Sequence, residues 1–193
     1  MITPRTQEMV YPGTCRPNPI KANEEIAKLS PDVAWRLALP PKLAIKFEDL
    51  LLGKQHQDLS REVGDFVLRR RDVVFTYQLA VVVDDAEQGI THIVRGADLL
   101  SNTARQIYLQ ELLGYQTPAY LHLPLVLDEH GEKLSKQTLA TAIHTDNEQQ
   151  ALNALRKAAI HLRLSNLPDG NNTSIAEWLL AATQAWNRKI TFS

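Results

Sequence analysis

Gly89-Ile90-Thr91-His92-Ile93-Val94-Arg95-Gly96-Ala97-Asp98 is the stretch from which the fold can be read. Gly89 is a breaker, and Ile90–Val94 has the β-branched, apolar content of a short strand. Downstream, Ser101 can cap a helix running to Leu113. Ala104, Ile107, Tyr108 and Leu112 share one face of it, and Gly114 stands past its end. Tyr120–Leu127 is the next apolar strand, in which Pro124 withholds a ladder N–H and argues for an edge or a bulge. Strand, helix and strand in this rhythm predict a parallel sheet with crossover helices, an α/β fold. Such sheets bind ligands at the carboxyl ends of their strands, so Arg95-Gly96 and the loop after Leu127 are expected on one rim.

Upstream, Phe66–Arg71 reads as a strand emerging into the basic run Arg69-Arg70-Arg71. Tyr77–Val83 is apolar with Asp84-Asp85 behind it, and periodicity at that length allows strand or helix. Val33–Leu39 alternates and stops at Pro40-Pro41, which suggests a strand; Leu43–Leu52 suggests another, with Gly53 as the turn. Residues 1–31 are polar and carry Pro4, Pro12, Pro17, Pro19 and Pro31, a connector rather than a core. A domain seldom starts with a connector of that length. Toward the other end, residues 147–162 stripe Ala151, Leu152, Leu155, Ala158 and Leu162 at helical spacing. Residues 174–187 do the same with Ile175, Trp178, Leu179, Ala182 and Trp186, and the polar run Pro168–Asn172 separates the two.

The chain has 193 residues, enough for one substantial domain or one and a half, with 44% hydrophobic and 22% charged residues. A formal charge of −1 gives no global basic field, so any RNA contact must come from local patches. Cys15 is the only cysteine, which excludes an internal disulfide and points to a reducing compartment. No apolar run approaches the ~18 residues that would span a bilayer. Met1–Glu8 lacks the apolar core of a signal peptide, and a cytoplasmic protein without membrane contact is expected.

The run Glu132-Lys133-Leu134-Ser135-Lys136-Gln137 follows Gly131. It puts two cations and a hydroxyl on a loop at the end of a buried strand. Ammonium groups there can follow the negative charge that builds on a leaving pyrophosphate. In isolation two lysines around a serine are more often a solvated turn.

Four segments line up in order: Tyr77–Asp85, Gly89–Asp98, Tyr120–Leu125 and Lys133–Lys136. Over roughly residues 10–140 their order and spacing resemble the second half of the catalytic domain of class I glutamyl-tRNA synthetases. Lys133–Gln137 is similar to that class's Lys-Met-Ser-Lys-Ser loop, with Leu134 and Gln137 substituted. The resemblance makes Tyr77–Asp85 helical. It implies the C-terminal half of a Rossmann-type catalytic domain with a short helical tail. Within the family the chain is most similar to the short paralogous branch, the glutamyl-Q tRNA(Asp) synthetases. The 56 residues after Gln137 look like two helices, too few for a separate anticodon-binding domain, and Tyr11-x-x-x-Cys15-Arg16 resembles the end of that branch's zinc motif.

The branch activates glutamate with ATP and transfers it to queuosine at the wobble position of tRNA(Asp). The resemblance implies that Tyr77 shapes the amino-acid pocket. It implies that Arg95 pairs with the substrate's side-chain carboxylate, for which a guanidinium offers a planar fork. Lys136 would stabilise charge on the reacting phosphates, helped by Lys133 and Ser135 at the ATP site. For Arg95 the competing reading is an ion pair with Asp98 or Asp85. Asp84 and Asp85 are expected to fix local structure. Arg69–Arg71 are expected as a solvated basic edge, and His92 and His122 as satisfied core histidines. Tyr11 and Cys15 are half of a zinc site, with the first two ligands absent; Cys15 in this chain reads better as a spare buried thiol.

The family's His-x-Gly-His-like motif does not occur in the sequence. The reading is therefore that Met1 is an internal methionine taken as a start, or that the gene has lost its 5′ part, leaving this chain inactive alone. Loss of the central strands would expose Ile90–Val94 and Tyr120–Leu127. The expected organisation is 1–64 as a connective, acceptor-side insertion with the partial zinc motif, 65–145 as the second catalytic half and 146–193 as the helical segment. A full-length form is expected to be monomeric. The competing readings are a fragment of a glutamyl- or glutaminyl-tRNA synthetase, a non-catalytic tRNA- or nucleotide-binding remnant, and a degraded gene.

Overall fold

The computed structural model describes residues 10–14, 16, 33–128, 130–134, 142–143, 145–169 and 173–189. Contacts divide the chain into two units. The described residues of Met1–Val94 and Leu99–Leu121 form the first; those of Arg95–Asp98 and His122–Ser193 form the second.

In the first unit β2 (Ala44–Asp49) and β3 (Gly53–Asp58) form an antiparallel hairpin in register from Ala44↔Asp58 to Asp49↔Gly53. Asp49 makes the turn. It is almost wholly buried, and its Oδ1 accepts from the N–H groups of Leu51 (3.0 Å) and Leu52 (2.8 Å). The next residue, Gly53, takes φ +70°, which the turn needs and glycine supplies without strain. β3 was not foreseen. Lys54, Gln55, His56 and Gln57 carry no apolar alternation, and the strand exists through its ladder to β2. A one-turn helix α1 (Leu59–Glu62) follows. The Asp58 side chain accepts from Arg61 N at 3.1 Å, and Glu62 reaches back to Asp58 N at 2.9 Å.

β1 (Trp35–Leu37) pairs antiparallel with β4 (Phe66–Arg69). Asp65, just before β4, is 3% exposed and bonds on both oxygens. Arg16 Nε donates to Oδ2 at 2.7 Å, Arg16 Nη2 to Oδ1 at 2.5 Å, and Leu39 N to Oδ1 at 2.9 Å. Hydrogen bonding from Arg16, ahead of the backbone bond and the charge itself, holds the Asp65 carboxyl below the ordinary range despite burial.

α2 (Tyr77–Glu87) is helical, as the resemblance implies. It packs on α3 (Leu100–Leu113), which buries Thr103, Ala104, Gln106, Ile107, Leu109 and Gln110. Ser101 is not the cap of α3. A 3-10 turn, Ala97–Leu99, runs straight into the helix, and Leu99 stands at the cap position without a side-chain bond. Gly114 does end α3, at φ +70°. Tyr115 N bonds Gln110 O and Gly114 N bonds Glu111 O, the paired closure that a left-handed glycine permits.

β5 (His92–Gly96) and β6 (Ala119–Leu123) flank this helix in sequence. The sheet order is β3-β2-β6-β5, with β2 and β6 parallel at Asp49↔Tyr120, so the expected crossover sheet is present. β6 stops before Pro124 rather than at Leu127, because proline cannot continue the ladder. The core of the first unit gathers Leu39, Ile45, Leu59, Phe66, Val82, Ala104, Ile107, Leu109 and Tyr120. Tyr120 meets Phe47 edge to face at 6.2 Å and accepts a hydrogen bond from Gln110 Nε2 at 3.0 Å. β5 lies at the sheet edge, with Val94 49% exposed and Ile90, just before the strand, 40% exposed, whereas Tyr120, Leu121 and His122 of the interior strand β6 are buried.

In the second unit α4 (Glu148–His161) packs on α5 (Ile175–Lys189) around Leu152, Ala159, Trp178 and Ala182; both helices form as the apolar stripes predict, but Ala158 and Leu179 of those stripes are exposed and Ala159 is buried instead of Ala158. Asn147 caps α4 through a bond from Gln150 N at 2.9 Å. Ser174 and Glu177 exchange bonds at the start of α5, the reciprocal pattern of a capping box. His161, at the end of α4, donates through Nε2 to the Pro124 carbonyl at 3.0 Å.

Candidate active site

The carboxyl ends of β5 and β6, both in the second unit, carry the site. Arg95 is the penultimate residue of β5. Its Nε–H donates to His122 Nε2 at 3.1 Å, and His122 is fully buried in β6. An arginine Nε–H can only donate, so Nε2 must be the acceptor and the imidazole proton sits on Nδ1. His122 is thus the satisfied core histidine that was expected. His92 is not: on the edge strand it is exposed, with Nδ1 2.9 Å from Thr91 Oγ1.

Gly96 follows Arg95 and leaves room for the Asp98 side chain. A Cβ on it would lie 2.5 Å from Asp98 Oδ1, so any other residue would displace that carboxylate from the strand end. The other oxygen, Asp98 Oδ2, takes Lys133 Nζ at 2.5 Å. Asp98 therefore anchors the first lysine of the Lys133–Lys136 loop. The same loop is closed from below. Asp128 N bonds Glu132 O at 2.8 Å, Leu134 N bonds Val126 O at 3.0 Å, and Gly131 turns the chain at φ +78°. Asp128 Oδ1 accepts from the N–H groups of His130 and Glu132, each at 2.9 Å. A guanidinium and an ammonium, each held by a partner from a neighbouring segment, suit an anionic ligand.

Tyr77 opens α2 in the first unit and is 51% exposed. Tyr11, also in the first unit, pairs with Gly64, and its ring lies under the Arg36 guanidinium at 4.2 Å. Cys15, Ser135 and Lys136 lie outside the described residues. Among the described residues no cluster of three His, Cys, Asp or Glu side chains could hold a metal, and no helix is long and apolar enough to cross a membrane. Of the basic run, Arg70 and Arg71 are exposed, as a solvated edge requires, and Arg69 is the exception. Arg69 is buried with its guanidinium 4.8 Å above the Trp35 ring, and Arg70 pairs with Asp72 at 2.7 Å. Sequence reading missed the tie between Arg95 and His122. Its signal was a histidine inside an apolar strand, which must find a partner once buried.

The family model for the catalytic domain of class I tRNA synthetases (E and Q) matches residues 7–178. A glutamyl-Q tRNA(Asp) synthetase from Burkholderia cenocepacia is 51% identical over 187 residues, 96% of this chain and 59% of that protein. One from Cupriavidus metallidurans is 50% identical over 188 residues, 96% of this chain and 56% of its own length. A glutamate-tRNA synthetase structure from Elizabethkingia anophelis aligns with TM-score 0.48 and 35% identity over 53% of this chain and 21% of that one. The chain thus spans less than two thirds of the curated relatives it matches.

Proposed function

The chain belongs to the class I tRNA synthetases for glutamate and glutamine, and from that membership we propose that the protein carrying it activates glutamate with ATP and transfers it to queuosine of tRNA(Asp). The names of the relatives at about 50% identity support the queuosine acceptor. The observation that carries the amino-acid half is Arg95, a guanidinium held at a strand end by a buried imidazole. It pairs with the side-chain carboxylate of glutamate and, being an obligate donor, disfavours glutamine. Tyr77 shapes the amino-acid pocket.

In the first step the glutamate α-carboxylate attacks the α-phosphorus of ATP and pyrophosphate leaves. Lys136, with Lys133 and Ser135, compensates the charge that grows on the departing phosphates. In the second step a nucleophilic group of queuosine attacks the acyl carbon and AMP leaves. Tyr11 and Cys15 would supply two of the four ligands that a closed zinc site needs. In this reading the protein is cytoplasmic and monomeric. Residues 1–64 are a connective insertion, 65–145 the second catalytic half and 146–193 a helical segment.

Glutamate-dependent exchange of pyrophosphate into ATP, and labelled glutamate appearing on queuosine-containing tRNA(Asp) through a bond other than a 3′ ester, are the expected results. Glutamate on the tRNA 3′ end would replace the acceptor. Salt-sensitive tRNA retention without any exchange would replace the ligase with a phosphate-binding role.

A further inference from the structure

We infer that His122 is the positioning residue of the carboxylate-reading arginine: by accepting the Nε–H of Arg95 it directs a substrate carboxylate to the terminal, two-Nη edge of the guanidinium. The inference rests on the proposed role of Arg95 and adds the direction from which that residue is read.

A guanidinium can meet a carboxylate along its side, through Nε and one Nη, or end-on, through both Nη groups. The bond to His122 commits Nε–H at 3.1 Å and removes the side approach. His122 cannot itself take the carboxylate through Nε2, which presents a lone pair. Nor can its ring turn easily. His122 and Leu121 before it are both 0% exposed on an interior strand, and close-packed interiors hold buried side chains in one rotamer. Arg95 sits on the neighbouring strand of the same sheet, so the donor and acceptor ride on two paired backbones rather than on loops. A long, flexible side chain is thereby delivered in one orientation, and less of its freedom remains to be lost when a ligand binds.

The test is a glutamate titration of the 15N-labelled 193-residue protein, followed at the Arg95 Nε–H and the His122 ring nitrogens. The wild type is expected to show the Nδ1–H tautomer and a slowly exchanging Arg95 Nε–H. His122→Leu should weaken glutamate by about tenfold, the worth of a charge-assisted hydrogen bond, and narrow the preference for glutamate over glutamine. His122→Gln, whose amide oxygen can accept the same N–H, should recover most of both. Melting temperatures of the variants separate folding from positioning. A folded His122→Leu protein that binds glutamate like the wild type overturns the inference and leaves the reading of Arg95 standing. Equal loss in the leucine and glutamine variants, tracking thermal destabilisation, also overturns it. Unchanged binding in Arg95→Ala overturns the reading of Arg95 and the inference with it.

Discussion

Lys133 Nζ stands 2.5 Å from Asp98 Oδ2, so the lysine loop is tied to the turn that follows β5. The lysine side chain is about half exposed and the aspartate about a fifth, which limits the tie to roughly 0.2–1 kcal/mol. Asp98→Asn should cost little global stability. It should loosen the loop locally, seen as faster amide exchange at Asp128 and Leu134, whose N–H groups close the turn. Unchanged exchange at both amides would show that the turn holds itself without the ion pair.

Gly96→Ala should act on the same tie from the other side. The new methyl would sit where Asp98 Oδ1 now lies, and the carboxylate must move. The variant is expected to reproduce the exchange behaviour of Asp98→Asn with little change in urea unfolding, because only the end of the Asp98 side chain has to give way. Amides at Asp128 and Leu134 as protected as in the wild type would refute the close approach.

Arg95→Ala should lower glutamate affinity by roughly 2–5 kcal/mol, the range for losing one partner of a hydrogen-bonded charge pair. Isothermal titration with glutamate, and with glutamine as the control, measures it. Comparable losses for the two ligands would remove the carboxylate from the account.

Asp65 supplies a pH dependence with a definite sign. Its folded carboxyl lies below the ordinary range, chiefly through Arg16. The stabilisation is therefore present above the unfolded aspartate value of about 4 and is lost as pH falls through the lower folded value. Asp65→Ala should remove that acid limb. It should also cost about 1–3 kcal/mol at neutral pH by leaving the buried Leu39 N–H without its acceptor. Urea midpoints from neutral pH downward, with and without the substitution, test both parts; parallel curves would assign the acid sensitivity elsewhere.

Tyr120→Phe removes the hydroxyl that accepts Gln110 Nε2 inside the first core. Gln110 Oε1 is already buried without a hydrogen-bond partner, so the variant leaves the amide at both ends unsatisfied. A loss of about 1–3 kcal/mol is expected in equilibrium unfolding. A neutral result would mean that water reaches the amide.

Much of this architecture is legible in the sequence where burial imposes a period. The α3 face around Ala104 and Ile107, and the stripes around Leu152 and Leu155 and around Trp178 and Ala182, each carry the signature of the element that forms. β3 is illegible because a polar edge strand is specified by its partner, not by its own side chains. The Ser101 cap fails because the 3-10 turn after Gly96 already delivers the backbone into the helix. For the site, the resemblance to the synthetase family points to Arg95 and Lys133. Their partners His122 and Asp98 depend on which strand and which turn become neighbours, and the sheet order decides that.

The parallel pairing of Asp49 with Tyr120 also sets an order of events in time. The β2–β3 hairpin closes over a few residues and can form as soon as Asp58 has been synthesised. The bond from Leu50 N to Tyr120 O must wait until α2, β5 and α3 have all emerged from the ribosome. Closing so distant a contact is entropically slow. Until β6 arrives, a nascent chain would carry β2 with one side of its ladder open, and that interval is when a chaperone would have something to hold.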